Sequence, residues 1–232
     1  MEKPVYIASA PAKVAERSLF VSVYTWMGLG LALTALAALL TLSSPALLQL
    51  IAGNRAVFFG LVIGELVMVV ALSAAIGRLS SGTATLMFLA YSALNGLTLS
   101  IIFLAYTSTS IVSTFFITAG TFGAMSVYGI VTKRDLTSWG NFFFMGLIGL
   151  VIASVVNIFL QSTMVYWITS YIGVFIFVGL TAYDTQKIKR MSQGGFSDSA
   201  TRHKMAIMGA LTLYLDFINM FLFLLRIFGN RR

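Results

Sequence analysis

The sequence predicts an all-α membrane protein of seven transmembrane helices, whose C-terminal helix the rest of the chain must surround or border with an aqueous cavity. Three observations carry that prediction. Of the 232 residues, 59% are hydrophobic and only 9% are charged, whereas an ordinary soluble domain carries roughly 25% charged residues, so lipid must be the solvent for most of the chain. Seven apolar runs, at 20–42, 57–76, 85–106, 111–131, 142–160, 165–183 and 209–226, lie close to the roughly 20 residues needed to cross a bilayer. The last run places Asp216 among Leu, Ile, Phe and Met. A carboxylate near the bilayer centre costs at least ~2.5 kcal/mol, so this helix has to face protein or an aqueous cavity.

Residues 1–19 are polar, contain Pro4 and Pro11, and read as a short, mobile cytosolic arm. The run at 20–42 exceeds a signal-peptide core and lacks a small-residue cleavage site, so it reads as a retained helix that Ser43, Ser44 and Pro45 end. Residues 20–228 then form one seven-helix bundle, followed by a short tail at 229–232. The stretch 184–204, with Ser192, Gly194, Gly195, Ser197 and Asp198, favours turns and reads as a flexible cytosolic loop. Gly60 with Gly64, and Gly146 with Gly149, have the spacing of helix-packing contacts.

Lys and Arg set the orientation. With the N-terminus inside, the inner segments hold Lys3, Lys13, Arg17, Arg78, Lys133, Arg134, Lys187, Lys189, Arg190, Arg202 and Lys204, while the outer connections before the last helix hold only Arg55. Seven crossings leave Arg231 and Arg232 outside, which two residues in a tail tolerate. The net charge of +8 is therefore a topology signal; no basic face or recognition motif suggests nucleic acid. The absence of cysteine excludes disulfides, thiolate metal sites and a cysteine nucleophile.

Of the seven acids, Glu2, Glu16, Asp135 and Asp198 fall in the inner segments, and three do not: Glu65 midway along the second helix, Asp184 ending the sixth, and Asp216. On the last helix, Gly209, Thr212, Asp216, Asn219 and Phe223 share a face, with Arg226 beyond. Asn95 with Tyr91 and Thr98, and Asn157 with Ser154 and Gln161, make further polar faces, which implies hydrogen bonding or water between helices. His203 reads as a solvated loop residue, and the many Met and Phe residues imply no cofactor.

The segment Ala182-Tyr183-Asp184-Thr185-Gln186-Lys187-Ile188, followed by Ala210-Leu211-Thr212-Leu213-Tyr214-Leu215-Asp216-Phe217-Ile218-Asn219 and Leu224-Leu225-Arg226, resembles the transmembrane Bax inhibitor motif (Bax inhibitor-1) family, in its bacterial YccA-like form. Span number and spacing agree over essentially the whole chain, and Gly64-Glu65 fits too. The resemblance implies six helices around a central seventh; no enzyme activity is expected, and the short arm and compact loops suit a bacterial inner-membrane protein. The resemblance also implies a pH-responsive calcium leak, with calcium the transported ion and no bound cofactor. Asp184 and Asp216 would be the proton sensor and hard oxygen ligands to passing calcium. Glu65, Asn95, Asn157 and Asn219 would line the path. Two carboxylates in contact cannot both ionise easily and so hold a proton between them, which makes the proton a switch of helix spacing. Some relatives carry an arginine cluster at the end of the second helix where this chain has Arg78 alone, about 20 Å beyond Glu65 at the helical rise.

The depth of the pair is a difficulty. With the seventh helix entering at Met205, Asp216 lies about 16 Å along it, while Asp184 is near the surface. They meet only where the sixth helix runs deeper or the seventh starts outside the bilayer. Two other readings stay open: a regulator that binds other membrane proteins, such as a protease or a cell-death factor, without transporting anything, and an intramembrane aspartyl protease. The latter normally needs glycines beside its second aspartate, and Leu213-Tyr214-Leu215-Asp216 has none.

Overall fold

A computed structural model of the chain describes residues 10–193, 196 and 198–232. They form α1 (Ala10–Ser43), α2 (Pro45–Gly53), α3 (Arg55–Ala75), α4 (Ser81–Leu99), α5 (Ile102–Ala105), α6 (Ser108–Val131), α7 (Thr137–Leu160), α8 (Thr163–Gln193) and α9 (Ser199–Phe228). Seven stretches are long and apolar enough to cross a membrane, with α4 and α5 together making one of them.

Local chemistry sets many of the boundaries. Ser80, Thr107 and Asp198 accept hydrogen bonds from backbone amides two or three residues into α4, α6 and α9, supplying acceptors to otherwise orphaned N–H groups. Asn54 does the same for Ala56 and Val57 at the start of α3. Gln161 ends α7 in the left-handed conformation, at φ 49°.

The last helix is the interior one. Of its most apolar window 72% is buried, against 11–39% for the other six spans. Helices α1, α4, α6 and α8 pack directly on α9, whereas α3 packs mainly on α4 and α7 on α8. The other spans present aliphatic and aromatic side chains outward, as lipid requires. Close approaches are made at glycines. A Cβ at Gly96 would collide with the Thr34 carbonyl oxygen and stand 2.6 Å from the Ala37 Cβ, so α4 lies backbone to backbone on α1. Gly129 plays the same part between α6 and α8, against Ala182 and Thr185.

Several sequence expectations are corrected. The stretch 184–204 is not a loop. Helix α8 continues to Gln193 and α9 begins at Ser199, because Gln186, Lys189 and Arg190 are held against the α6–α7 turn. Gln186 accepts from the Leu136 amide and donates to the Arg134 carbonyl, and Lys189 donates to the Ile130 carbonyl. Of that stretch, residues 194, 195 and 197 lie outside the described residues, as do residues 1–9 of the expected arm. The remainder of the arm is helical from Ala10, with Leu19 fully buried. Gly60, Gly64 and Gly149 meet nothing within 4 Å and are not packing contacts within the chain, while Gly146 touches Ile176. His203 lies on α9, where it hydrogen-bonds Thr85 at 2.8 Å and meets the Trp26 ring edge-on.

The two ends of the bundle differ in charge. One end gathers Arg17, Arg78, Lys133, Arg134, Lys189, Arg190, Arg202 and Lys204 around the α3–α4, α6–α7 and α8–α9 connections. Arg202 donates to Ser18 there, and Lys204 to the Gly77 carbonyl. At the other end the C-terminal residues pair with the α5–α6 connection, through Asn230 and Thr107 and through Arg232 and Ala105. Helix α9 thus traverses the bundle.

Replacing Gly96 with Ala should destabilise the protein by about 1–3 kcal/mol, since α1 and α4 would have to separate. Gly60→Ala should leave the thermal unfolding midpoint in detergent unchanged, as nothing opposes its Cβ. Asp135, in the α6–α7 turn, accepts from the Thr137 hydroxyl and amide and pairs with Arg190 at 2.6 Å. The Thr137 bonds first, and Arg190 after them, hold its carboxyl at about 2, below the ordinary value. The contribution of this turn is therefore complete above the unfolded carboxyl range and lost as pH falls through about 2. An NMR titration of the Asp135 carboxyl should show that midpoint, and Thr137→Val should move it upward.

Candidate functional site

The polar face read along the last helix is turned on α8. Gly209 lies between Val23 of α1 and Ile188 of α8, Phe223 stacks on Phe177 and fills the space opposite Gly173, and Asp216 meets Asp184 between them. The two carboxyl groups are in hydrogen-bonding contact and nearly closed to solvent, at 8% exposure for Asp184 and 4% for Asp216. Oδ2 of Asp216 is buried and receives no donor among the described residues. Lys187, about one turn along α8, is the cation whose charge reaches Asp184, and its side chain is exposed. Two carboxyls can touch without repulsion only by holding a proton between them.

The meeting resolves the depth difficulty in both ways the sequence left open. Helix α8 runs nine residues past Asp184, which sets that residue about 14 Å from the helix end. Helix α9 begins at Ser199, six residues before Met205.

Glu65 belongs to a separate constellation. It is buried on α3 and accepts from Thr98 Oγ1 at 2.8 Å and Asn95 Nδ2 at 3.2 Å. Asn95 Oδ1 accepts in turn from the Tyr214 hydroxyl at 3.1 Å, and that hydroxyl is 2.6 Å from Thr34 Oγ1 on α1, which also reaches the Ser92 carbonyl. Four helices are thereby joined by one polar chain. Tyr214 and Asp216 are two residues apart, about 200° around the helix, so the Glu65 network and the aspartate pair occupy opposite sides of α9. The sequence pointed to Glu65, Asn95 and Thr98 but not to Tyr214 or Thr34. A hydroxyl amid an apolar run was the available signal.

Asn157 and Asn219 line a third feature, a cavity of about 570 Å³ between α7, α8 and α9 that opens toward the C-terminal end. Its inner part reaches Phe177 and Asn219, and Asn219 is three residues, about 4.5 Å along the axis, from Asp216. Arg226 and Arg231 stand in its mouth. Arg78 is exposed in the turn after α3, and among the described residues no ion pair joins it to a carboxylate.

No group of three or more His, Cys, Asp or Glu side chains comes together among the described residues. A resident calcium site wants six to eight oxygens, and the aspartate pair supplies at most four. The geometry suits a proton better than a tightly held metal.

Comparison with known proteins identifies the lineage. Residues 16–232 match the family described as inhibitor of apoptosis-promoting Bax1. The chain belongs to that family. It is 57% identical over 211 residues to the inner membrane protein YbhL of Escherichia coli K12, covering 90% of each chain. It is 47% identical over 222 residues to the protein RP147 of Rickettsia prowazekii, covering 93% of this chain and 91% of that one. A Borreliella burgdorferi protein is 47% identical over 210 residues, covering 90% of each. The chain is thus a multi-pass integral membrane protein of the Bax inhibitor-1 family, which is not known as a family of enzymes.

Tyr214→Phe should lower stability by about 1–3 kcal/mol, because Asn95 Oδ1 loses its donor in a buried site. Thermal unfolding in detergent measures this, and Tyr128→Phe, whose half-exposed ring lies on α6 away from the network, should be neutral.

Proposed function

We propose that this protein is a proton-gated cation leak of the bacterial inner membrane, with calcium as the cargo and its N-terminus in the cytosol. The observation that carries the reading is the contact between Asp184 and Asp216, two buried carboxyls on facing helices with no cation bonded to either among the described residues. With a proton between them, the contact draws α8 and α9 together. Without it, two negative charges in a medium of low dielectric push the same helices apart. A change of one proton thus acts on the spacing of the innermost helix pair.

The cavity lined by Asn157 and Asn219 supports the same reading from the other side. It brings water-sized space to within about one helical turn of Asp216, and the stacked Phe177 and Phe223 rings stand at its inner part as an apolar constriction. Separation of α8 from α9 would part those rings. Carboxylate oxygens are then available to a passing hard cation, and two of them bind weakly enough to release it. The Glu65 network, on the far side of α9, fixes α3 and α4 to the central helix. It serves as the static wall against which α8 moves.

Orientation follows from the basic end of the bundle, which the positive-inside rule puts in the cytosol together with the N-terminus. The inner-membrane location follows the printed name of the Escherichia coli relative. A family described as inhibitors, and not as hydrolases, speaks against an aspartyl peptidase.

Calcium flux through the purified protein in liposomes, followed across pH, tests the proposal. Asp184→Asn and Asp216→Asn should each flatten the pH dependence, while wild-type protein shows a step. Flux in both variants with the wild-type pH profile removes the sensor role, and the absence of any flux from wild-type protein at every pH favours a non-transporting regulator.

A further inference from the structure

At the C-terminal end of the bundle, two guanidinium groups, those of Arg226 and Arg231, gather on one aromatic cluster. Arg226 lies over the Tyr166 ring at 5.6 Å and the Phe223 ring at 5.1 Å. Arg231 lies over Tyr166 at 5.3 Å and Tyr106 at 6.0 Å, and donates to the Tyr166 hydroxyl at 2.7 Å. Both cations therefore converge on one tyrosine. Among the described residues no carboxylate comes within ion-pairing distance of either.

The space beside them is large and has two kinds of wall. The cavity of about 570 Å³ is continuous in its lining with a neighbouring one of about 500 Å³, the two sharing Asn157, Tyr166, Arg226 and Arg231. Opposite the arginines the wall is aliphatic, made by Val151, Val155 and Ile158 of α7. Those three side chains are also 54%, 50% and 61% exposed, so the wall they make, with Ser154 and Asn157 between them, runs into the lipid-facing surface. Arg226 is two residues from the end of α9, the level at which a spanning helix meets headgroups.

We propose that this cavity binds a phospholipid of the surrounding leaflet, its phosphodiester held by Arg226 and Arg231 and one acyl chain laid along Val151, Val155 and Ile158. The chemistry fits at each end. Guanidinium groups bind phosphate oxygens bidentately and keep their charge in a poorly hydrated place. Arg231 spends part of its N–H edge on the Tyr106 and Tyr166 hydroxyls, and its remaining N–H groups, with those of Arg226 beside the Tyr166 and Phe223 rings, are left to donate. Asn157 adds an amide at the same mouth. The aliphatic wall offers nothing to a free inorganic anion but matches an acyl chain. A volume of this size also falls within the range that encloses a small amphiphile. The site does not depend on the leak reading. A bound phosphodiester would, however, cancel the positive potential that two arginines otherwise set against a cation at that opening.

Native mass spectrometry of the full chain released from detergent, with phosphatidylglycerol titrated in, tests the proposal. Wild-type protein should retain one lipid, and the double variant Arg226→Gln/Arg231→Gln should bind it about tenfold or more weakly, as expected for losing charged hydrogen bonds. Arg231→Gln alone, in the exposed tail, should weaken binding in the same direction and decides the matter should the double variant fail to fold. Arg55→Gln removes the same charge at the same end of the bundle and should bind as wild type does. Diacylglycerol, which lacks the phosphate, should not be retained. Equal lipid retention by wild type and Arg231→Gln, or displacement of the lipid by millimolar inorganic phosphate, overturns the proposal.

Discussion

The structure depends on enclosing Asp216. A carboxyl group in the middle of an apolar helix has no stable place against lipid, because its desolvation is uncompensated there. The chain meets this by keeping lipid away from the last helix at the depth of Asp216, with α1, α4, α6 and α8 packed on it. Each neighbour meets a different face: Asp184 and Phe177 on α8, Tyr91 and Phe88 on α4, Phe115 and Phe122 on α6. The glycines that let backbones approach, Gly96, Gly129, Gly173 and Gly209 among them, occur where this sheath must be tight.

Enclosure also sorts the polar groups into separate tasks. On the α1 and α4 side of the last helix, Tyr214, Thr34, Asn95, Thr98 and Glu65 satisfy one another and join four helices. On the α8 side, the two aspartates are left to each other, and Asp216 Oδ2 has no donor among the described residues. A satisfied network resists movement, while the contact within a bare carboxyl pair turns from attraction to repulsion on losing one proton. The contrast between the two sides of a single helix is what turns a bundle into a candidate switch.

Much of this was legible in the sequence, and the reasons are particular. Apolar runs and the distribution of Lys and Arg are read by lipid and water directly, so the existence and order of the seven spans and the basic end could be located, though not the helix ends. Asp184 and Asp216 stood out because their surroundings forbid them. Depth was harder: 184–204 contains turn-favouring residues, yet Gln186 and Lys189 bond across to the α6–α7 turn and carry α8 on to Gln193. That tertiary contact overrides local propensity, and no local pattern announces it. Gly60 and Gly64 mislead in the opposite sense, since their spacing fits packing but α3 turns them away from its neighbours. Tyr214 and Thr34 were hidden because a hydroxyl within an apolar helix is unremarkable until its partner is seen. The positions of Asn157 and Asn219 were legible as polar faces, but the cavity they share depends on how α7 leans on α8.

Lipid should reach every other span more readily than the last helix at the depth of Asp216. A phospholipid carrying a photoreactive carbene precursor in its acyl chain, activated in a bilayer containing the protein and read by peptide mass spectrometry, measures this without mutation. Abundant adducts are expected on α3 and α7, and almost none on α9 from Ala206 to Ile218. Adducts on that segment of α9 as frequent as those on α7 would contradict the enclosure of Asp216.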